Sequence, residues 1–450
     1  MKLALLGGGG FRVPLVYGAL LADTRERRVE EIALHDIDPA RLAVIDAVLA
    51  QMAAESDREL APPRVVTTTD LDVALTGADF VFSAIRVGGL AGRTCDERVA
   101  LDLGLLGQET TGPGGLAYGL RTVPIAQHIA RRVAAVVPGA FVIDFTNPAG
   151  LITQGMNAIL PGRVVGICDS PIALVRRVAR ALELDPERVS ADYVGLNHLG
   201  WLRGLFVDGV DRLPELLADA ALVESFEEGK LFGHEWIASI GAVPNEYLYY
   251  YDFTREAVAS IRGSGQTRGE FLLTQQSDFY RAVEADPDSA LATWRAAREN
   301  RDATYMKEAR AEGEERDALD VAGGGYEGVA LALMAAIARG ERSTMILNVP
   351  GGTAVPGLPP EAVVEVPCLV DGSGVSPLAT RPLTGRMLGL VQQVKHVETL
   401  VIRAATERDP ATAIEAFASH PLVDSVTTAR TLFEGYRRAH PSLETLFAAR

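Results

Sequence analysis

Lys2 to Leu6 is a short apolar run that stops on Gly7-Gly8-Gly9-Gly10 and gives way to a helix-compatible segment from about Pro14 to Ala22. Four glycines between a strand and a helix commit the backbone to a tight turn with exposed N–H groups, the arrangement that holds a phosphate at a helix N-terminus. A second apolar run, Ile32 to His35, ends at Asp36, roughly 25 residues past the glycines, where a carboxylate accepts the ribose hydroxyls of NAD and disfavours a 2′-phosphate. The third glycine of G-x-G-x-x-G falls on Arg12, so the contacts to a diphosphate are expected to depart from the usual pattern.

The alternation continues with a helix from Pro39 to about Met52, a strand Arg64 to Thr67, a short helix Leu71 to Leu75 and a strand Phe80 to Ile85. A helix from about Val123 to Val136, a strand Phe141 to Phe145 and a strand ending at Cys168 complete some six strands. Strands alternating with helices predict an α/β fold, a Rossmann-like doubly wound parallel sheet with every carboxyl end on one edge. Beyond about residue 200 the pattern changes to long helical stretches, Gln275 to Arg301 and Tyr326 to Ala338, with a strand at Val363 to Leu369 and helices from about Thr384. The expected division is a nucleotide-binding domain at 1–195 and a C-terminal α+β domain of the lactate/malate dehydrogenase-like type at 196–450.

Composition narrows the function classes. The chain is 48% hydrophobic and 23% charged, ordinary for a globular protein, and its formal net charge of −16 argues against nucleic-acid or anionic-membrane partners. An anionic ligand would need a local arginine cluster. Three scattered cysteines make no disulfide framework, and no leader or spanning run is evident, so a cytoplasmic protein is expected.

Two stretches carry chemistry. Val164 to Pro171 reads as a strand ending on Cys168-Asp169, and Tyr193 to Trp201 offers His198 beside Asn197. A thiolate and an imidazole suit a borderline transition metal; the alternative is a buried cysteine and a core histidine. Between Ile85 and Val123 lies a long connection, read as a functional loop, whose Arg86 and Arg93 converge with Arg121 on the sheet edge, with Glu109 in the same segment. The alternative there is ion pairing with Asp96 and Glu97. Tyr247, Tyr249, Tyr250 and Tyr251 are mostly packing by the same reasoning.

Ile85-Arg-Val-Gly-Gly-Leu, Asp96-Glu-Arg, Gly107-Gln-Glu-Thr-Thr-Gly-Pro-Gly-Gly, Phe145-Thr-Asn-Pro-Ala-Gly, Cys168-Asp-Ser-Pro, Gly195-Leu-Asn-His, Pro244-Asn-Glu-Tyr-Leu and Val364-Glu-Val-Pro-Cys together resemble glycoside hydrolase family four, in family order and over nearly the whole chain. The resemblance implies a 6-phospho-glucosidase that uses NAD catalytically and a divalent metal, usually Mn²⁺, in a redox-elimination route. It places Cys168 and His198 on the family's metal ligands and Tyr247 on its base for the sugar C2 proton. Gly7, Gly9, Gly10, Asp36 and Arg86 are then the cofactor residues. Arg93, Glu109, Asn147, Asn197 and Arg268 are the substrate residues, with Arg93 and Arg268 on the phosphate.

Asp169 is the second catalytic candidate. Cys-Asp accompanies α-specific members, whereas Phe145-Thr-Asn-Pro-Ala-Gly resembles the β-acting ones, and the expectation leans to a 6-phospho-β-glucosidase with the α enzyme as alternative. A homo-oligomer, dimer or tetramer, is expected. Two other classes remain open from the residues alone, an NAD-dependent hydroxy-acid dehydrogenase and a non-catalytic NAD or sugar-phosphate binding protein.

Overall fold

The structure is a computed structural model that describes residues 1–56, 60–304 and 325–448. Strands β1 (Lys2–Leu6), β2 (Glu31–His35), β3 (Arg64–Thr68), β4 (Phe80–Ser83), β5 (Phe141–Asp144) and β6 (Val164–Gly166) run parallel in the order β3-β2-β1-β4-β5-β6. That is the doubly wound order, and its direction reverses between β1 and β4, where a crevice opens at the carboxyl ends. Helices cover both faces, so these strands are apolar throughout rather than alternating. Leu3 and Leu5 of β1 enter one apolar cluster, and Ala4 and Leu6 enter another.

β6 is not an edge. β7 (Ser190–Leu196), β8 (Leu199–Val207), β9 (Val210–Asp211), β10 (Val243–Pro244), β11 (Ser343–Pro350), β12 (Val363–Asp371) and β13 (Gly374–Pro377) extend the same sheet in antiparallel fashion. β11 joins β6, and β12, β7, β8 and β10 follow outwards. Among the described residues thirteen strands therefore form one sheet, and β7 itself spans the 195/196 position. No helix of the described residues is long and apolar enough to cross a membrane.

The segment expected as a long loop after β4 is mostly helical, at Gly89–Asp102 and Pro113–Val136. Its first helix escapes a hydrophobic-periodicity reading because Arg93, Asp96 and Glu97 lie on the buried side, where apolar residues ordinarily mark the face. Gln275 to Arg301 is two helices, Arg268–Ala285 and Ala290–Ala303, because Pro287 follows a residue that must leave the α region. The first begins on a capping box, with Thr267 and Glu270 bonding each other's backbone N–H. Ser343–Pro350, with no strand expected, is the strand that welds the two parts of the chain together.

Candidate active site

The glycine turn has the geometry its composition requires. Gly7 has φ +86°, and a Cβ there would lie 2.6 Å from the Ala84 carbonyl oxygen at the end of β4, so β1 and β4 close up only with glycine. Asp36, one residue past β2, accepts the Gly9 N–H at 3.0 Å and the Asp38 N–H at 3.1 Å. It stands beside the turn, as a ribose-binding acid must. Tyr280 donates to the Gly9 carbonyl at 2.6 Å, so a helix of the second part of the chain also braces this turn. Arg12 follows the turn. Its guanidinium lies 5.6 Å from the Phe145 ring centre and 5.1 Å from that of Tyr326, over the end of β5.

Cys168 and Asp169 follow β6 and lead into the helix Ser170–Ala181, whose N-terminal dipole favours negative charge on the sulfur. Burial nonetheless pushes the Cys168 thiol well up, the carboxylates of Glu365 and Asp169 push the same way, and the Ser170 N–H opposes them. A thiolate here calls for a cation. Asn197 and His198 form the two-residue turn between β7 and β8, and His198 takes φ 62°, a conformation uncommon outside glycine that is worth its strain where a side chain must be aimed. Burial holds the imidazole neutral, with its pKa pushed down to about 4 against the pull of Asp169 and Glu109. Thr110, Pro148, Asn197 and His198 line one pocket, so the hairpin tip meets the turn between the helices Gly89–Asp102 and Pro113–Val136 and the loop after β5. Asn147 lies in the latter loop, and its peptide to Pro148 is cis.

Tyr247 stacks on His198 with ring centres 3.7 Å apart and planes 7° from parallel. Its short turn is pinned from two sides. The Asn245 N–H donates to the Gly200 carbonyl of β8, and Ser170, beside Asp169, donates to Glu246 at 3.1 Å. The neighbouring tyrosines pack, as expected: Tyr250 is buried, Tyr249 stacks on Phe253 and Tyr251 faces His420.

Glu365 is a site residue that the sequence reading did not single out. Gly195, Glu365, Asn348 and Gly166 are successive partners across β7, β12, β11 and β6, which carries this carboxyl to the level of the Cys168 strand. It accepts from Asn348 at 2.8 Å, from Tyr193 at 3.1 Å and from Asn197 at 3.2 Å. Burial lifts its pKa to about 7 despite those donors. The available signal was one acid inside the otherwise apolar run Val363-Val-Glu-Val-Pro-Cys.

The arginines divide. Arg86 and Arg93 each take one oxygen of Glu109, at 2.6 and 2.8 Å, and Arg93 also holds Glu97 at 2.7 Å. Burial opposes ionisation of Glu109, but the two guanidiniums hold its pKa at about 2. Arg121 lies over the same Tyr118 ring as Arg86, at 5.6 and 5.4 Å, but its guanidinium is taken by another carboxylate. It is buried in a bidentate pair with Asp96, at 2.6 and 2.7 Å, beside His440 of the C-terminal part, and that pair is architectural. Arg268 donates to the Arg301 and Thr304 carbonyls, capping the end of the neighbouring helix. Arg301, also not anticipated, is pushed well below the ordinary guanidinium range by burial and by the facing guanidiniums of Arg12 and Arg268, with Arg93 adding to the effect. Arg301 facing Arg12, Arg268 and Arg93 is an electrostatic setting for a multivalent anion.

The residues fit both implied groups. The turn Gly7–Gly10 with Asp36 fits a dinucleotide. Among the described residues no group of three or more His, Cys, Asp or Glu side chains could hold a metal ion, which leaves the Cys168 and His198 pair as the candidate donors there. A buried thiol and a neutral imidazole are a donor set that fits a borderline divalent ion.

Residues 2–184 match the family model described as Family 4 glycosyl hydrolase, and residues 193–423 match its C-terminal domain. A curated relative, the probable 6-phospho-beta-glucosidase of Bacillus subtilis, is 30% identical over 98% of this chain and 96% of its own. The 6-phospho-beta glucosidase of Thermotoga maritima, solved with NAD and glucose-6-phosphate, superposes with a TM-score of 0.82 at 26% identity, covering 98% of this chain and 99% of that one. A 6-phospho-alpha-glucosidase from gut microorganisms, solved with NAD and Mn²⁺, gives 0.78 at 25% identity, with 97% of each chain covered.

Proposed function

Because this chain belongs to the family 4 glycosyl hydrolases, we propose that it hydrolyses 6-phospho-β-glucosides, phosphorylated disaccharides among them, with NAD as a catalytic cofactor and Mn²⁺ or another divalent ion at Cys168 and His198. The observation that carries this reading is the stack of Tyr247 on the metal-ligating candidate His198, at the same sheet edge as the arginines around Arg301.

Bound at the glycine turn, NAD would supply a hydride acceptor, and a divalent ion held by Cys168 and His198 would supply a Lewis acid. The protein's own part is positioning and proton transfer. Asn147 and Asn197 hold sugar hydroxyls, Asn197 being steadied by Glu365. Tyr247 removes the C2 proton as a phenolate, a form that an unperturbed phenol with a pKa near ~10 reaches only beside positive charge. Arg12, Arg93, Arg268 and Arg301 face the 6-phosphate, and Glu109 fixes Arg93 together with the cofactor-side Arg86. A metal-ligating thiolate needs a reducing compartment, which supports a cytoplasmic location.

Arg301→Gln should therefore lower kcat/KM for a phosphorylated aryl glucoside by ~10–100-fold, the loss of one charge-assisted bond of ~1.5–3 kcal/mol, and barely change it for the unphosphorylated analogue. Equal losses on both would remove Arg301 from the phosphate site. The panel that tests the whole reading is p-nitrophenyl α- and β-glucosides, with and without 6-phosphate, assayed with NAD⁺ and Mn²⁺ under reducing conditions. Turnover of the phosphorylated β-glucoside alone is the expected result, and net accumulation of NADH on a hydroxy acid would replace this reading with a dehydrogenase.

Asp169, within electrostatic reach of His198 and Glu365, supports a second reading as an α-enzyme. In an α-glycoside a carboxylic acid beside Cys168 faces the leaving oxygen and protonates it, a step worth ~10²–10⁴-fold with poor leaving groups. In a β-glycoside that oxygen points away. Asp169→Asn should thus scarcely slow an activated aryl 6-phospho-β-glucoside, and a large loss there, undiminished by a better leaving group, would assign Asp169 to support of the metal site instead.

A further inference from the structure

His198 is gripped by a chain of hydrogen bonds whose directions can be worked out. The Gln108 side-chain oxygen accepts the backbone N–H of Thr110 and of Thr111, both at 2.6 Å, and two donors at one atom fix which end of the amide is oxygen. The Thr110 hydroxyl lies 3.1 Å from that same oxygen and 3.1 Å from Nδ1 of His198. An amide oxygen has no proton to give, so the hydroxyl donates its single proton to Gln108 and turns a lone pair towards the histidine. Nδ1 must then carry the imidazole proton. Nε2 is left with its lone pair outward, although an unconstrained neutral histidine favours the opposite tautomer.

We propose that Gln108 and Thr110 are positioning residues that set the tautomer and aim of His198, making Nε2 its metal-binding nitrogen; this rests on the reading of His198 as a metal ligand. The Tyr247 ring, parallel at 3.7 Å, fixes the remaining rotation of the imidazole plane. The run Gly107-Gln-Glu-Thr-Thr thereby acquires two functions one residue apart. Glu109 orders the arginines, and Thr110 orders the metal ligand. A metal-ligating histidine whose second nitrogen is held in this way binds its ion more tightly, and removing such a support typically costs ~10–100-fold in metal affinity.

The test uses ¹⁵N-histidine NMR on the full-length metal-free protein, with the His198 resonances identified by their loss in His198→Gln. Wild type should show a protonated Nδ1 and a lone-pair Nε2. Thr110→Val, close in shape but without the hydroxyl, should shift the population towards protonated Nε2 and weaken Mn²⁺ binding, read by electron paramagnetic resonance, by ~10–100-fold. Thr110→Ser should restore both readouts. A wild-type spectrum with the proton on Nε2 overturns the proposal without any variant, even if Thr110→Val fails to fold. Thr110→Val with wild-type tautomer and affinity overturns it equally. If His198→Gln binds Mn²⁺ as well as wild type, the metal reading itself has failed, and the tautomer measurement, made without metal, still decides the hydrogen-bond chain on its own.

Discussion

Cys168→Ser and His198→Ala should each abolish metal-dependent hydrolysis while leaving the protein folded. Among the described residues no group of three or more His, Cys, Asp or Glu could hold a metal, so with Cys168 and His198 as the proposed ligands neither loss can be covered by a third one there. Lewis-acid stabilisation of developing charge is worth several kcal/mol, and at ~1.4 kcal/mol per decade its removal costs at least ~10³-fold in kcat. Stability should change far less. Cys168 to Ser alters one atom in a buried site, and His198 sits at a hairpin tip whose strands remain paired from Ser190 to Phe206. Thermal unfolding of the metal-free variants is expected within a few degrees of wild type, whereas Mn²⁺ should raise the melting temperature of wild type alone. Near wild-type turnover by either variant at low metal would refute the assignment.

Tyr247→Phe should lower kcat by ~10²–10⁴-fold, the usual worth of a positioned general base, with KM changed little. The phenylalanine ring keeps the parallel packing on His198, so what is lost is the hydroxyl. A structural role for Tyr247 would predict the same loss in every step. A base predicts more: a substrate deuterated at C2 should react more slowly than the protiated one, and the isotope effect should grow in Tyr247→Phe as proton removal becomes rate-limiting. An unchanged isotope effect would transfer the role to another group.

The parts of this site that can be read from sequence are those whose chemistry is local. Gly7 to Gly10 and Asp36 belong to one strand-turn-helix-strand unit, and Cys168, His198 and Tyr247 each sit in a short run with its own turn chemistry. What escapes is set by partners far away in the chain. Glu365 becomes part of the site only because β11 and β12 insert between β6 and β7, a pairing that no local pattern encodes. Arg301 matters because Arg12 and Arg268 are brought against it. Arg121, near Arg86 at the Tyr118 ring, is occupied by distant partners in the same way, since Asp96 and His440 hold it in the core. The helix Gly89–Asp102 passed for a loop because its inward face is charged, and those charges are exposed as a buried network only by the tertiary structure.

The proposed chemistry breaks the glycosidic bond by elimination after proton removal at C2, rather than by displacement between two carboxylates. Hydrolysis of a 6-phospho-β-glucoside in D₂O, followed by NMR of the released glucose 6-phosphate, tests it most directly. Because a phenolate base exchanges its proton with solvent before water re-adds across the double bond, the product should carry deuterium at C2. A product that retains its original hydrogen at C2 would rule out proton removal at that carbon.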